Sequence, residues 1–162
     1  ARRDKLDQNH LRNTPLLVKL APDLDDDALE NCIRVIQEFS IQGVIATNTT
    51  IERPELKSKH RNQSGGLSGK PLRKRSTELI RNLSAELGAD VPIIGVGGIS
   101  SGKDVYEKIL NGASLVQMYT ALVYYGPGII KKIKDKEDEG GYVDITKFFD
   151  LIKGKKYKFS NL

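Results

Sequence analysis

PIIGVGGISSGKDVYEKILNGASLVQMYT, residues 92–120, reads as strand, glycine turn, helix and second strand, and this order decides the fold. Residues 93–96 form a short apolar run, after which Gly97 and Gly98, lacking a Cβ, let the main chain turn tightly and approach a ligand. Ser100 or Ser101 is placed to cap the next helix, and Asp104 follows Ser101 at the spacing of a capping box. Val105 and Ile109 give that helix a buried stripe, and Asn111-Gly112 end it. Residues 114–118 make the second strand, and Tyr119-Thr120 open a further turn with donors for an anion. In barrels of parallel strands the loops after the last two strands often bind phosphate. Glycines also sit between strand and helix simply because the turn is tight, so the phosphate reading depends on the other strand ends.

Outward from this stretch, strand and helix signals keep alternating, which is the pattern of an α/β fold with parallel strands. Residues 16–20 are a first apolar run, and Asp25 is placed to cap a helix with apolar positions at Leu29, Cys32, Ile33, Ile36 and Phe39. Residues 43–47 make the second strand. A polar stretch with Pro54 and Gly65-Gly66 leads to a helix bearing Leu72, Leu79, Ile80, Leu83 and Leu87, ended by Gly88. A final helix begins near Pro127 with Ile129, Ile130 and Ile133; residues 135–141 are a charged connection into a short amphipathic tail around residues 145–152. Four strands with their helices are half of a (β/α)8 TIM barrel, which typically takes about 250 residues. Half a barrel leaves inward side chains and strand edges uncovered, and a preceding segment is expected to complete it. A small doubly wound open sheet is the structural alternative.

The chain has 162 residues, enough for one domain with a core. The division expected is the end of a preceding helix and connection over 1–13, the half barrel over 14–154, and a solvated tail over 155–162. Cys32 is the only cysteine, which excludes an internal disulfide or a cysteine metal cluster, and His10 and His60 stand isolated among polar residues; no metal is assigned. The formal net charge of +5 is dispersed over KSKHR, KPLRKR, KKIKDK and KGKKYK, where Tyr157 is the one aromatic, rather than being interleaved with a series of stacking aromatics, a pattern of solvated helix faces rather than of a nucleic-acid surface.

The carboxyl ends of the strands are the working face of either fold. Lys19 sits inside LLVKLAP, where a buried ammonium needs an anionic or hydrogen-bonding partner unless its head reaches water. Thr47-Asn48-Thr49-Thr50 follow the second strand with amide and hydroxyl groups suited to orienting a planar polar substrate, or to plain turn chemistry. The loop SGGLSGK, residues 64–70, lacks the Gly-x-x-x-x-Gly-Lys-Ser/Thr spacing of nucleoside triphosphatases.

Taken together, VKLAPDL (18–24), GVIATNTT (43–50), GGLSGKPL (65–72), ST (76–77), PIIGVGGISSG (92–102) and GASLVQMYTAL (112–122) closely resemble the quinone-linked, class 2 dihydroorotate dehydrogenases in order and spacing. The resemblance runs from about Thr14 to about Gly154, more weakly after Pro127. It implies an FMN-containing barrel that oxidises dihydroorotate to orotate in pyrimidine synthesis and passes electrons to ubiquinone. It also implies membrane association, at the mitochondrial inner membrane in a eukaryote or the cytoplasmic membrane in a bacterium, through an N-terminal segment absent from this sequence.

Carried over by position, the resemblance places Lys19 and Thr47 at the flavin ring, and Asn48 and Thr49 at the pyrimidine dione and carboxylate of the substrate. Gly69, Gly98, Tyr119 and Thr120 would hold FMN, the last three chiefly around its phosphate. Val123 and Pro127 correspond to positions lining the quinone tunnel. The family's catalytic serine base lies in an Asn- and Ser-rich loop after an earlier strand, and no such loop precedes Lys19. Neither Ser68 nor Ser76 takes that role. Two other functions stay open: a phosphate-binding barrel isomerase or synthase without flavin, and a non-catalytic basic module for nucleic acid.

Overall fold

A computed structural model describes residues 2–11, 14–53 and 56–134. The expected charged connection over 135–141, the tail over 145–152, the solvated end over 155–162 and the position of Pro54 lie outside the described residues. Within them the order is α1 (Arg2–His10), β1 (Leu17–Leu20), α2 (Asp26–Glu38), β2 (Gly43–Ala46), a 3-10 turn (Lys70–Leu72), α3 (Arg73–Leu87), β3 (Ile93–Val96), α4 (Gly102–Leu110), β4 (Leu115–Gln117), α5 (Thr120–Tyr125) and α6 (Gly128–Lys134).

The four strands form one parallel sheet in the order β1-β2-β3-β4, with Val18, Val44 and Ile93 in one row and Lys19, Ile45, Ile94 and Leu115 in the next. Because side chains alternate across a strand, this register sorts the sheet into two faces. Leu20, Val44, Ala46 and Ile93 are buried in a core with Ile33 and Ile36 of α2, Leu79, Ile80, Leu83 and Leu87 of α3, and Val105 and Ile109 of α4. Burying each large aliphatic side chain in that core contributes roughly 1.5–3 kcal/mol before the ordering entropy is subtracted. The opposite face is uncovered: Leu17 and Leu115 keep 38% and 49% of their surface exposed. Sequential order with every strand parallel, helices on one face and an apolar face left bare on the other is the arrangement of consecutive barrel units.

Local chemistry explains the element ends. Asp25 caps α2, its carboxylate accepting the Ala28 N–H at 2.8 Å, and Asp26 and Asp27 add negative charge where the helix dipole is positive. Removing this cap in Asp25→Ala is expected to cost about 1 kcal/mol, read as a lower thermal midpoint with unchanged helix content. Ser101 caps α4 through the Asp104 N–H at 3.2 Å. Gly88 ends α3 at φ 67°, its N–H bonded to the Ser84 carbonyl.

Two expectations change, and one reading that the sequence leaves open is decided. Leu72 belongs to the 3-10 turn, because Pro71 sits in that turn and α3 starts only at Arg73. Phe39 is the C-cap of α2 rather than part of its apolar face, and it stays 63% exposed. Lys19 is exposed, because β1 turns Val18 and Leu20 toward the helices and Lys19 toward the bare face. Among the described residues no helix is long and apolar enough to cross a membrane.

Candidate functional site at the strand tips

Parallel strands end on one edge, and backbone hydrogen bonds lace those ends together. The Asn48 N–H donates to the Leu20 carbonyl at 2.8 Å, and the Thr47 N–H donates to the Val96 carbonyl at 3.0 Å. Thr47 is buried, with its hydroxyl on the Asn48 carbonyl at 2.8 Å, and the Ala46–Thr47 peptide is cis. Asn48 and Thr49 are exposed at the tip, whereas Thr50 is buried and its hydroxyl donates to the Asp23 carboxylate.

The next loop is drawn over this edge. Thr50 and Leu67 exchange two backbone hydrogen bonds of 3.1 and 2.7 Å as an isolated antiparallel bridge. Arg53 holds the same loop from within, donating to the Thr50, Ile51 and Glu52 carbonyls and to those of Gln63 and Gly65. Gly66 then lies so close to Thr49 that a Cβ would come within 1.8 Å of its hydroxyl oxygen. Farther along, Gly69 at φ 81° faces the Thr120 methyl, and the Thr120 hydroxyl donates to the Ser68 hydroxyl at 2.9 Å. The glycine-rich loop therefore joins Thr49 after β2 to Thr120 at the start of α5.

Gly97 and Gly98 have φ of 120° and 73°, a left-handed conformation that needs glycine. A Cβ on Gly98 would fall 2.5 Å from the Arg73 Cβ, so the turn is seated against the first residue of α3. Gly98 and Ile99 are buried, and among the described residues their N–H groups make no hydrogen bond. The same holds for the N–H groups of Tyr119 and Thr120 at the next strand tip. Unpaired backbone donors at two adjacent strand ends are the donor set of an anion cradle.

Behind the cradle lies a charged cluster that sequence reading misses. Asp104, 2% exposed, accepts the Ser100 N–H at 2.9 Å, the Ser100 hydroxyl at 3.1 Å and Arg73 Nη1 at 2.5 Å. Burial alone would raise its pKa; the Ser100 N–H, Arg73 and the Ser101 and Ser100 hydroxyls outweigh burial and hold it below the usual carboxylate value. Lys108 is wholly buried, its Nζ donating to Ser76 Oγ at 2.6 Å and Thr77 Oγ1 at 3.1 Å. Desolvation lowers its pKa to about 8, with Arg73 acting in the same direction and Glu107 and Asp104 opposing. A signal is present in KDVYEKIL: Asp104 and Lys108 lie one turn apart beside Val105 and Ile109, so the buried stripe carries a charge pair.

Of the residues singled out from sequence, Thr49, Gly69 and Thr120 are linked through the glycine loop, Asn48 stands beside Thr49 and is bonded to the end of β1, and Gly98 sits at the tip of β3. Tyr119 is 76% exposed next to Thr120. Lys19 lies one residue before the end of β1 on the bare face, in the row of Ile45 and Ile94. Val123 and Pro127 are exposed on α5 and just beyond it, outside this linked set. Among the described residues no group of three or more His, Cys, Asp or Glu is gathered as a metal site.

Residues 4–139 match the family model described as dihydroorotate dehydrogenase. The chain is 54% identical over 137 residues to a dihydroorotate dehydrogenase (quinone) of Christiangramia forsetii, covering 85% of this chain and 40% of that protein. It is 47% identical over 158 residues to the protein of that name from Trichodesmium erythraeum, covering 90% and 42%. A crystal structure of ligand-free DHODH from Eimeria tenella superimposes with a TM-score of 0.73 at 42% identity, over 76% of this chain and 34% of the other. The chain thus spans about two fifths of the length of the curated relatives it matches.

Proposed function

The chain belongs to the dihydroorotate dehydrogenase family, and from that premise we propose that it is the carboxyl-terminal half of an FMN-dependent barrel that oxidises dihydroorotate to orotate for pyrimidine synthesis and delivers the electrons to ubiquinone. The observation that carries the reading is the joined strand edge. The Thr49 hydroxyl, next to the Asn48 amide in sequence, is coupled through one glycine loop to Thr120, and unpaired N–H groups stand at Gly98, Tyr119 and Thr120. A planar polar substrate and a phosphorylated cofactor call for those two kinds of group side by side.

The residues present fit FMN. Gly98 occupies a position where a Cβ has no room, which leaves the backbone itself to meet a phosphate, and the donors there are neutral N–H groups of the kind that bind anions at helix starts. FMN, when bound, supplies a two-electron acceptor. Lys19 would place a cation beside its ring and favour negative charge there, with Thr47 adjacent. Asn48 and Thr49 would orient the substrate's dione and carboxylate by hydrogen bonding. Gly69, Gly98, Tyr119 and Thr120 would fix the cofactor, and Val123 and Pro127 would border the quinone path. The base that takes the substrate proton is expected on the preceding half, whose docking would also cover Leu17, Lys19 and Leu115 and bring the protein to a membrane surface.

The natural polypeptide that carries this segment should purify with a flavin absorption spectrum, release FMN on denaturation and reduce a quinone in a dihydroorotate-dependent way. The 162 residues alone should show no turnover. A colourless protein that neither takes up FMN nor oxidises dihydroorotate would refute the reading. Turnover by the isolated segment would refute its division between two halves.

A further inference from the structure

We propose that buried Lys108, acting through the Ser76 hydroxyl, is the positioning residue that aims the Gly98 N–H at the flavin phosphate. This rests on the FMN reading above and concerns side chains that lie beneath the cradle rather than in it.

A trans peptide is planar, and the one between Gly97 and Gly98 has its C=O and N–H pointing in opposite directions. The Gly97 carbonyl is turned inward, toward Ser76 Oγ at 3.2 Å. The Gly98 N–H, on the far side of the same plane, therefore points away from Ser76, and no described residue accepts it. Whatever holds the Gly97 carbonyl inward holds the Gly98 donor outward.

Ser76 is the group that holds it, and Ser76 needs help. Its hydroxyl carries one proton and faces two carbonyls, Gly97 at 3.2 Å and Arg73 at 3.0 Å. Lys108 Nζ donates to the same oxygen at 2.6 Å, filling the hydroxyl's acceptor side and leaving its hydrogen to the carbonyls. The ammonium is anchored a second time on Thr77 Oγ1, which itself donates to the Arg73 carbonyl at 2.9 Å. Its stem passes under the sheet, where a Cβ on Gly95 would meet the Lys108 Cδ at 3.2 Å. The groups around it are Arg73, Ser76 and Thr77 of α3 and Asp104 and Glu107 of α4, so one buried cation ties both helices to the turn between them.

A buried cation is costly, and a methionine of similar length would pack the same space without that cost. Its presence directly beneath a turn of unpaired donors has a function if that turn meets an anion. A hydroxyl locked by a charge-assisted bond keeps the donor aimed before the ligand arrives.

The test compares FMN with riboflavin, which differ only in the phosphate, on the flavin-stripped natural polypeptide, with affinities read by fluorescence quenching. In Lys108→Met, FMN affinity should fall about tenfold or more while riboflavin affinity changes by less than about threefold. Ser76→Ala retains the cation and removes the link, and should show the same selective loss; it decides the matter if Lys108→Met fails to fold. Equal loss for both ligands would mean that the cluster only supports the fold, and no loss for either would mean that the turn needs no such support. Each of those results overturns the proposal while leaving the FMN reading intact, whereas a wild-type protein that binds neither flavin overturns both.

Discussion

Gly98→Ala is expected to lower stability by about 2–5 kcal/mol and to abolish flavin retention. Two costs meet at Gly98. Its φ of 73° is a left-handed conformation that costs an alanine roughly 1–2 kcal/mol. The added Cβ would also stand 2.5, 2.7 and 2.8 Å from the Cβ, Cα and N of Arg73. Two of those three atoms are main chain at the start of α3, so no rotamer change relieves the overlap, and either the turn or the helix must move. Gly126 supplies the control. It also has a positive φ, 70°, with ψ 177°, and an added methyl would meet nothing within 4 Å, so Gly126→Ala incurs only a conformational cost, about 1–3 kcal/mol. Thermal unfolding of the two variants in the natural polypeptide, with flavin absorbance read beside it, separates contact from conformation. Equal midpoints for both would show that the turn can withdraw from Arg73 and that its seating is slack.

The fold is legible where one residue type has one local use. The strand over Ile93–Val96, the caps Asp25 and Ser101, and the stops at Asn111 and Gly88 follow from short-range chemistry that sequence states directly. Other features depend on tertiary partners and are less legible. The donors of Tyr119-Thr120 suggest a turn, yet Thr120 opens the six-residue helix α5, Thr120–Tyr125. The spacing of Asp104 from Ser101 suggests a capping box, but its carboxylate accepts from Ser100, one residue before the cap, and from Arg73 on another helix. Lys19 stands out as a charge within an apolar strand, yet the strand's alternation places it on the bare face; among the described residues the buried lysine is Lys108. Burial of a charge depends on which elements pack over it, and that is long-range information.

Asp104 supports the second large prediction. It is nearly inaccessible and satisfies three donors at once, the Ser100 N–H and hydroxyl and the Arg73 guanidinium, so Asp104→Ala leaves a partly buried N–H unpaired and takes a carboxylate from beside Lys108. Arg73 keeps 47% of its side chain exposed, so its charge is not stranded, and the loss is that of the bonds left unmade, about 1–3 kcal/mol, which chemical denaturation at pH 7 should show. Its pH signature is specific. The folded-state pKa lies below the ordinary value of 3.8, so between the two the unfolded chain binds a proton that the folded chain does not. The stabilisation is complete above the ordinary value and is lost as pH falls through the lowered one. Wild type should therefore lose stability over that acid interval by more than Asp104→Ala does, and parallel curves would show that the carboxylate is not the titrating group. Combining Asp104→Ala with Lys108→Met carries the argument one step further. With the carboxylate gone the buried ammonium loses an attraction, and removing the ammonium as well relieves that charge. The double variant should then be less destabilised than the two single losses added together, whereas strict additivity would show that Asp104 and Lys108 act on the turn independently.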